Sequence, residues 1–175
     1  MAEKWALFDI NRLPLHEYAN RGEDFPNGKF HIVIHACIFN SKGEMLIQHR
    51  QPFKEGWSNR WDVTVGGSAV GDETSSQALI REVEEEIGLK LPKNDYRPSL
   101  TMNFQYGFDD FYLIEMDVDQ QTLHLQYEEV QAVKWASYEE VLRMLEDGRF
   151  IAYHRSLIEL LFALRHQMGA HVRWE

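Results

Sequence analysis

GSAVGDETSSQALIREVEEEIGL, running from Gly67 to Leu89, is the stretch whose reading decides the fold. Leu79, Val83 and Ile87 recur every four residues with Ile80 beside them, so the segment reads as a helix with one apolar stripe. Its start is marked twice. Asp72 can cap it, or Thr74 can, with Gln77 three positions on to complete a capping box. Gly88 stands where a left-handed residue ends a helix. Glu82, Glu85 and Glu86 are spaced i, i+3 and i+4, so their carboxylates share the face beside the apolar stripe. Unit charges about 5–6 Å apart repel by about 3 kcal/mol at an effective dielectric near 20. Arg81 lies four positions before Glu85 but is expected to point to the flank, and no lysine falls on the acidic face. A solvated acidic face has the same pattern. A divalent cation is the usual relief for clustered oxygen donors, and hard ions such as Mg²⁺ or Mn²⁺ suit them.

Composition narrows the setting. At 175 residues the chain is long enough for one well-buried core and short for two, so one domain over 1–175 is expected. A net charge of −10 argues against a nucleic-acid polymer held by charge alone. A small phosphorylated molecule would have to be met by metal ions and a few placed cations. The lone cysteine, Cys37, excludes an internal disulfide and fits a reducing compartment. The opening MAEKWALFDINR has no apolar core of signal-peptide length, and no stretch approaches the roughly 18 apolar residues of a membrane span. A cytoplasmic protein without membrane contact is expected, and a homodimer is compatible with it.

Upstream of the helix, Trp5 to Ile10 reads as a first strand and Asn11 to Lys29 as an irregular arm, together forming a strand-and-arm segment over 1–30. HIVIHACIF (His31–Phe39) is β-branched and aromatic with incomplete alternation, the mark of a strand buried on both sides. Asn40-Ser41-Lys42-Gly43 is turn chemistry leading to a partner strand over Met45–His49. A loop from Gln51 runs to Trp61, and Trp61–Val65 alternates into Gly66-Gly67. Downstream, strands are expected over Leu100–Phe104, Phe111–Val118 and Val130–Trp135, with a turn over Gly107–Asp110. Ser137 and Glu140 form a capping box for a helix ending at Gly148, and Ile151–Gln167 is a second helix, so 137–168 is helical. Mixed strands with a central helix and a C-terminal pair give an α/β or α+β domain.

The central stretch resembles the Nudix box. Gly67, five residues, Glu73, seven residues, then Arg81-Glu82-Val83-Glu84-Glu85-Glu86-Ile87-Gly88-Leu89 fill every fixed position of G, five, E, seven, R-E-U-x-E-E-x-G-U, where U is bulky and apolar. The resemblance implies an α/β/α sandwich with a mixed β-sheet. It also implies metal-dependent hydrolysis of a phosphoanhydride bond in a nucleoside di- or triphosphate or a diphosphate-linked compound. On this reading Glu82, Glu85 and Glu86 hold Mg²⁺ or Mn²⁺, and Glu82 or Glu85 takes a proton from the attacking water. Arg81 orients the carboxylates, and the Gly66 carbonyl reaches the metal. Glu129, with Glu128 as the adjacent choice, supplies a further ligand.

For the substrate, Arg50 and Lys54 lie just upstream and suit phosphate. Trp57, Trp61, Phe104 and Tyr106 are aromatic surfaces for a base, although aromatics at strand ends are more often core. Residues His31 to Gly71 also look like the branch that includes isopentenyl-diphosphate isomerase, through the H-x-x-x-H strand, LIQHR and the W-x-x-x-W loop. That enzyme carries a catalytic cysteine where this chain has Gly66, so a hydrolase in an isomerase-like frame is expected. A non-catalytic sensor of a nucleotide metabolite is the third class, and such domains often lose box glutamates that are all present here.

Overall fold

The structure is a computed structural model that describes residues 4–24, 26–167 and 169–172. The first three positions and residue 25 of the expected 1–30 segment, and residue 168 of the helical segment, lie outside the described residues.

Strand β3 (His31–Phe39) is the axis of the sheet. It pairs antiparallel with β4 (Met45–Arg50) through the expected hairpin and with β6 (Val65–Ser68). It pairs in parallel with β8 (Gly107–Glu115), in register from His31↔Gly107 to Phe39↔Glu115. With β5 (Trp61–Asp62), β7 (Leu100–Phe104) and β9 (Val130–Ala136), the order is β5-β4-β3-β8-β7, β6 lying on β3 and β9 on β4. The sheet is therefore mixed.

Its two faces explain the incomplete alternation of β3. Ile32, Ile34, Ala36 and Ile38 point into a core closed by helix α1 (Ser75–Ile87), through Leu79, Val83 and Ile87. Cys37 and Phe39 point into a second core closed by α2 (Tyr138–Glu146) and α3 (Arg155–Leu164), through Val141, Ile158 and Leu161. Both faces are covered over most of the strand, and only Val33 and His35 keep part of their surface exposed. The result is the α/β/α sandwich.

Helix α1 begins and ends where its local chemistry says it should. The Thr74 side chain accepts from the Gln77 backbone N–H, and the Gln77 side chain accepts from the Thr74 N–H at 2.8 Å. Gly88 closes the helix at φ 69°. Asp72 is no cap. It accepts from the Tyr18 hydroxyl at 2.7 Å and so ties the preceding turn to the N-terminal segment. At α2, Ser137 caps the Glu140 N–H, but the Glu140 carboxylate turns to Lys134 at 2.6 Å.

Three further expectations are corrected. The segment 137–168 is not helical throughout, because α2 stops at Glu146 and α3 covers only Arg155–Leu164 of the expected Ile151–Gln167 helix, with residues 151–154 outside any helix. The arm is not irregular throughout, because Pro14–Asn20 forms strand β2, antiparallel to β1 (Lys4–Phe8) in a separate two-stranded sheet. Gly107–Asp110 is no turn, because it opens β8. Asp110 is fully buried there, bound by Arg12 at 2.9 and 2.5 Å, by Ser75 at 2.6 Å and by Thr101 at 2.6 Å. That cluster fastens the N-terminal segment and the start of α1 to the sheet. Among the described residues no helix is long and apolar enough to cross a membrane.

Candidate active site

Strand β6 runs beside α1, and the absence of a side chain at Gly67 sets the distance between them. A Cβ there would lie 2.1 Å from Glu82 Cδ and 2.2 Å from its Oε1. The equivalent atom at Gly66 would meet nothing nearer than 3.8 Å. The close approach that requires glycine is therefore at Gly67. Gly66 lies one residue earlier, paired with His35 of β3. Between β6 and α1 opens a cavity of about 210 Å³, reached by Glu82, Glu85 and Glu86 and by Glu129 from the loop before β9.

The three helical glutamates differ in setting. Glu82 and Glu86 are buried, while the Glu85 side chain is 54 % exposed. Glu86 accepts from Gln48 Nε2 at 3.1 Å. Burial first, then the nearby charges of Glu82 and Glu129, hold the Glu86 carboxyl well above the ordinary range.

Arg81 does not lie off to the flank. Its Nε and Nη2 donate to the two oxygens of Glu73 at 2.7 and 3.0 Å, and Nη2 also donates to the Ser68 carbonyl. Its Nη1 reaches Glu85 at 3.0 Å and Glu82 at 2.9 Å. Burial opposes its charge, but the hydrogen bonds and charges of Glu73 and Glu82 outweigh that and raise its pKa. The guanidinium is long enough to fold back along its own helix, which a view of Cβ positions alone does not show. Glu73 is thereby the anchor of Arg81 as well as an acceptor for the Val70 N–H.

Across the cavity, Lys54 is mostly buried and ion-paired to Glu129. Arg50 lies 3.9 Å from the buried Asp62, and its Nε is buried without a hydrogen-bond partner. Two expected substrate residues sit elsewhere. Trp61 is stacked on His49 at 4.6 Å, with Lys134 Nζ 4.8 Å from its ring centroid. Tyr106 occupies the tight turn between β7 and β8 at the sheet edge, where its carbonyl accepts from the His31 N–H. Neither lines the cavity. Arg21, Ser68 and Gln126 do line it and were not singled out in the sequence. They come from a polar arm, a strand end and a loop, where nothing in spacing marks them.

The donor set is all oxygen, and the carboxylates crowd one another around Glu86, both of which suit a divalent cation. Among the described residues, no three acidic or imidazole side chains converge tightly enough to enclose one as they stand. Their present partners supply the reason, since Arg81 draws Glu82 and Glu85 aside and Lys54 draws Glu129.

Comparison with known proteins places this geometry. The NUDIX domain family model matches residues 29–160. An "Uncharacterized Nudix hydrolase" of Listeria innocua is 41% identical over 169 residues, covering 97% of this chain and 99% of that protein. An isopentenyl-diphosphate Delta-isomerase of Salmonella paratyphi B is 27% identical over 127 residues, covering 68% of each. The crystal structure of DR0079 from Deinococcus radiodurans superimposes with a TM-score of 0.70 at 24% identity, covering 91% of this chain and 97% of that one.

Proposed function

We propose, for a chain that belongs to the NUDIX domain family, that it hydrolyses a phosphoanhydride bond in a nucleoside di- or triphosphate or a diphosphate-linked compound, using Mg²⁺ or Mn²⁺. Hydrolases of this family act on pyrophosphate bonds of small phosphorylated molecules. The observation that carries the finer reading is the meeting of Glu82, Glu85 and Glu86 with Glu129, from a distant loop, around one cavity with Arg50 and Lys54 at its rim.

When bound, the cation neutralises the diphosphate and makes a bound water acidic. Glu82, Glu85, Glu86 and Glu129 would hold it, with the Gly66 carbonyl beside them. Glu82 or Glu85 accepts the proton of the attacking water, as geometry and a carboxylate base allow. Arg81, tied to Glu73, sets the positions of both. Arg50 and Lys54 meet the phosphate oxygens. Water adds at phosphorus as the anhydride P–O bond breaks, so each product keeps a phosphate. One domain over 1–175, acting in the cytoplasm as monomer or homodimer, suffices for this chemistry.

Isomerisation is set aside because Gly66 offers no thiol. Cys37 is fully buried in β3, and burial raises its thiol pKa. The test is a panel of nucleoside diphosphates, triphosphates and diphosphate-linked compounds with Mg²⁺ or Mn²⁺, with and without chelator. Chelator-sensitive release of two phosphorylated products, or of phosphate from a free di- or triphosphate, is expected. Tight nucleotide binding with no turnover of any compound would instead indicate a sensor.

A further inference from the structure

Two cations that reach the acidic cavity are taken by its carboxylates. Arg81 lies against Glu82 and Glu85, and Lys54 is paired to Glu129. Arg50 borders the same cavity, but its ion-pair partner is Asp62, a residue of a neighbouring cavity of about 330 Å³ that Arg50 also borders. We propose that Asp62, itself held by Tyr153, is a positioning residue: it keeps the Arg50 guanidinium off the carboxylates of the acidic face and leaves its donors to a phosphate of the substrate. The proposal rests on the hydrolase reading above and adds what makes this cation available.

The strands bring the pair together. Gln48 of β4 is opposite Asp62 of β5, and Arg50 lies two residues on from Gln48, so the three side chains come to one face. Asp62 is buried, and its Oδ1 accepts from the Tyr153 hydroxyl at 2.8 Å and from the Val63 N–H at 2.8 Å. The carboxylate plane is thereby fixed, with Oδ2 left for Arg50. Tyr153 comes from the chain just before α3. There the Trp61 N–H donates to the Arg149 carbonyl and the Ile151 N–H to the Trp61 carbonyl, both at 2.8 Å, so Phe150 runs parallel to Trp61 and the chain is laid beside Asp62. The Tyr153 hydroxyl also lies 3.5 Å from His35 Nδ1, and His35 is held by Asp109 at 2.9 Å and by stacking on Phe111. Asp62 is a support whose own partners are tied to three other elements.

The grip on Arg50 is by charge alone. At 3.9 Å its Nη1 is too far from Asp62 Oδ2 for a hydrogen bond, so the pair consumes none of the guanidinium's donors. Arg81 and Arg12, by contrast, spend theirs on Glu73 and Asp110. Arg50 Nε is buried without a partner, and a phosphate oxygen would supply one. Burial raises the Asp62 pKa, while His35, the Tyr153 hydroxyl and Arg50 each favour its charged form. Remove that charge and the Arg50 side chain, only 14 % exposed, is left without its counter-ion. Glu82, Glu86 and Glu129 line the cavity it borders, and it would turn to them as Arg81 and Lys54 have done. Asp62 therefore serves phosphate binding although it is itself an anion.

The experiment is calorimetric binding of methylenediphosphonate in Mg²⁺ to wild type, Asp62→Asn, Tyr153→Phe, Arg50→Gln and the two double variants that include Arg50→Gln, with Tm to confirm folding. In parallel, kcat and KM are measured on a panel compound that wild type turns over. Arg50→Gln should weaken the probe by about 10- to 150-fold, the range for a hydrogen bond to a charged group. Asp62→Asn should weaken it by about 10-fold and Tyr153→Phe by about 3-fold, each raising KM with kcat held within about 2-fold. In the Arg50→Gln background either change should alter binding by less than about 2-fold, because the side chain they position is gone. Tyr153→Phe keeps the Asp62 charge and carries the test if Asp62→Asn does not fold. Unchanged or tighter probe binding in the folded variants, the same loss with Arg50→Gln as without it, or a fall in kcat at constant KM would overturn the positioning role and leave the hydrolase reading standing. A wild type that neither binds the probe nor turns over any panel compound would overturn both.

Discussion

Replacing Gly67 with alanine asks whether the Glu82 carboxylate works where it stands. A Cβ at 67 would lie 2.1 Å from Glu82 Cδ and 2.6 Å from its Cγ. Carbon atoms settle about 3.5–4.0 Å apart, so the carboxylate must withdraw by about 1.4–1.9 Å. That breaks its 2.9 Å contact with Arg81. The backbone at Gly67 is not left-handed, so the substitution adds no torsional strain. Overpacking costs about 1–3 kcal/mol in a closed core, and here the side chain can swing into the cavity, so about 1 kcal/mol is expected. For a chain of this size that lowers Tm by about 2–4 °C. Catalysis should suffer more, because displacement of a reacting group by about 1 Å costs on the order of 100-fold. Gly66→Ala is the control, since its Cβ would meet only ordinary contacts at 3.8 Å. The assay is kcat on a panel compound that wild type turns over, with Tm for all three proteins. A Gly67→Ala protein with wild-type kcat would refute the assignment of Glu82 as a working group in its observed position.

Three further outcomes are expected. Arg12→Ala leaves the buried Asp110 with only Ser75 and Thr101; breaking a buried pair costs about 3–5 kcal/mol, and the partly exposed arginine puts this near 3 kcal/mol, a Tm fall of about 6–12 °C by calorimetry. Burial lowers the His31 pKa to about 4, with the Asp109 charge opposing. The unfolded chain binds a proton near pH 6.5 that the native state resists, so stability should fall by about 2–3 kcal/mol from pH 6.5 to 4. His31→Phe should flatten that part of the denaturant-derived stability profile. Lys54→Met removes the cation paired to Glu129, so Mn²⁺ should bind a few-fold more tightly in a titration, while substrate KM rises.

Local chemistry was readable and distant geometry was not. The Thr74–Gln77 box and Gly88 bound α1 because capping is decided within one turn, and Leu79, Val83 and Ile87 are all fully buried as their spacing requires. The strand β2 was missed because only Ala19 among its residues is buried, so it carries no periodic signal. Asp109-Asp110 read as turn chemistry beside Gly107, whereas both are strand residues held by partners far away, His35 and Arg12. The i, i+3, i+4 pattern placed three glutamates on one face but not their unequal burial, which β6 imposes at Gly67. Lys54 is drawn in by Glu129, a pairing no spacing could reveal.

The most direct measurement is turnover against melting temperature in a variant carrying Glu82→Gln, Glu85→Gln and Glu86→Gln together. Losing a base alone costs about 10²–10⁴-fold, and losing the metal's oxygen donors with it should bring turnover to background. The fold should persist, because the substitutions relieve repulsion around a carboxyl already raised by burial and by its neighbours. A cooperative melt near wild type with Mg²⁺-dependent activity gone is the predicted result. A variant that melts cooperatively and keeps full activity would contradict the catalytic role of this acidic face.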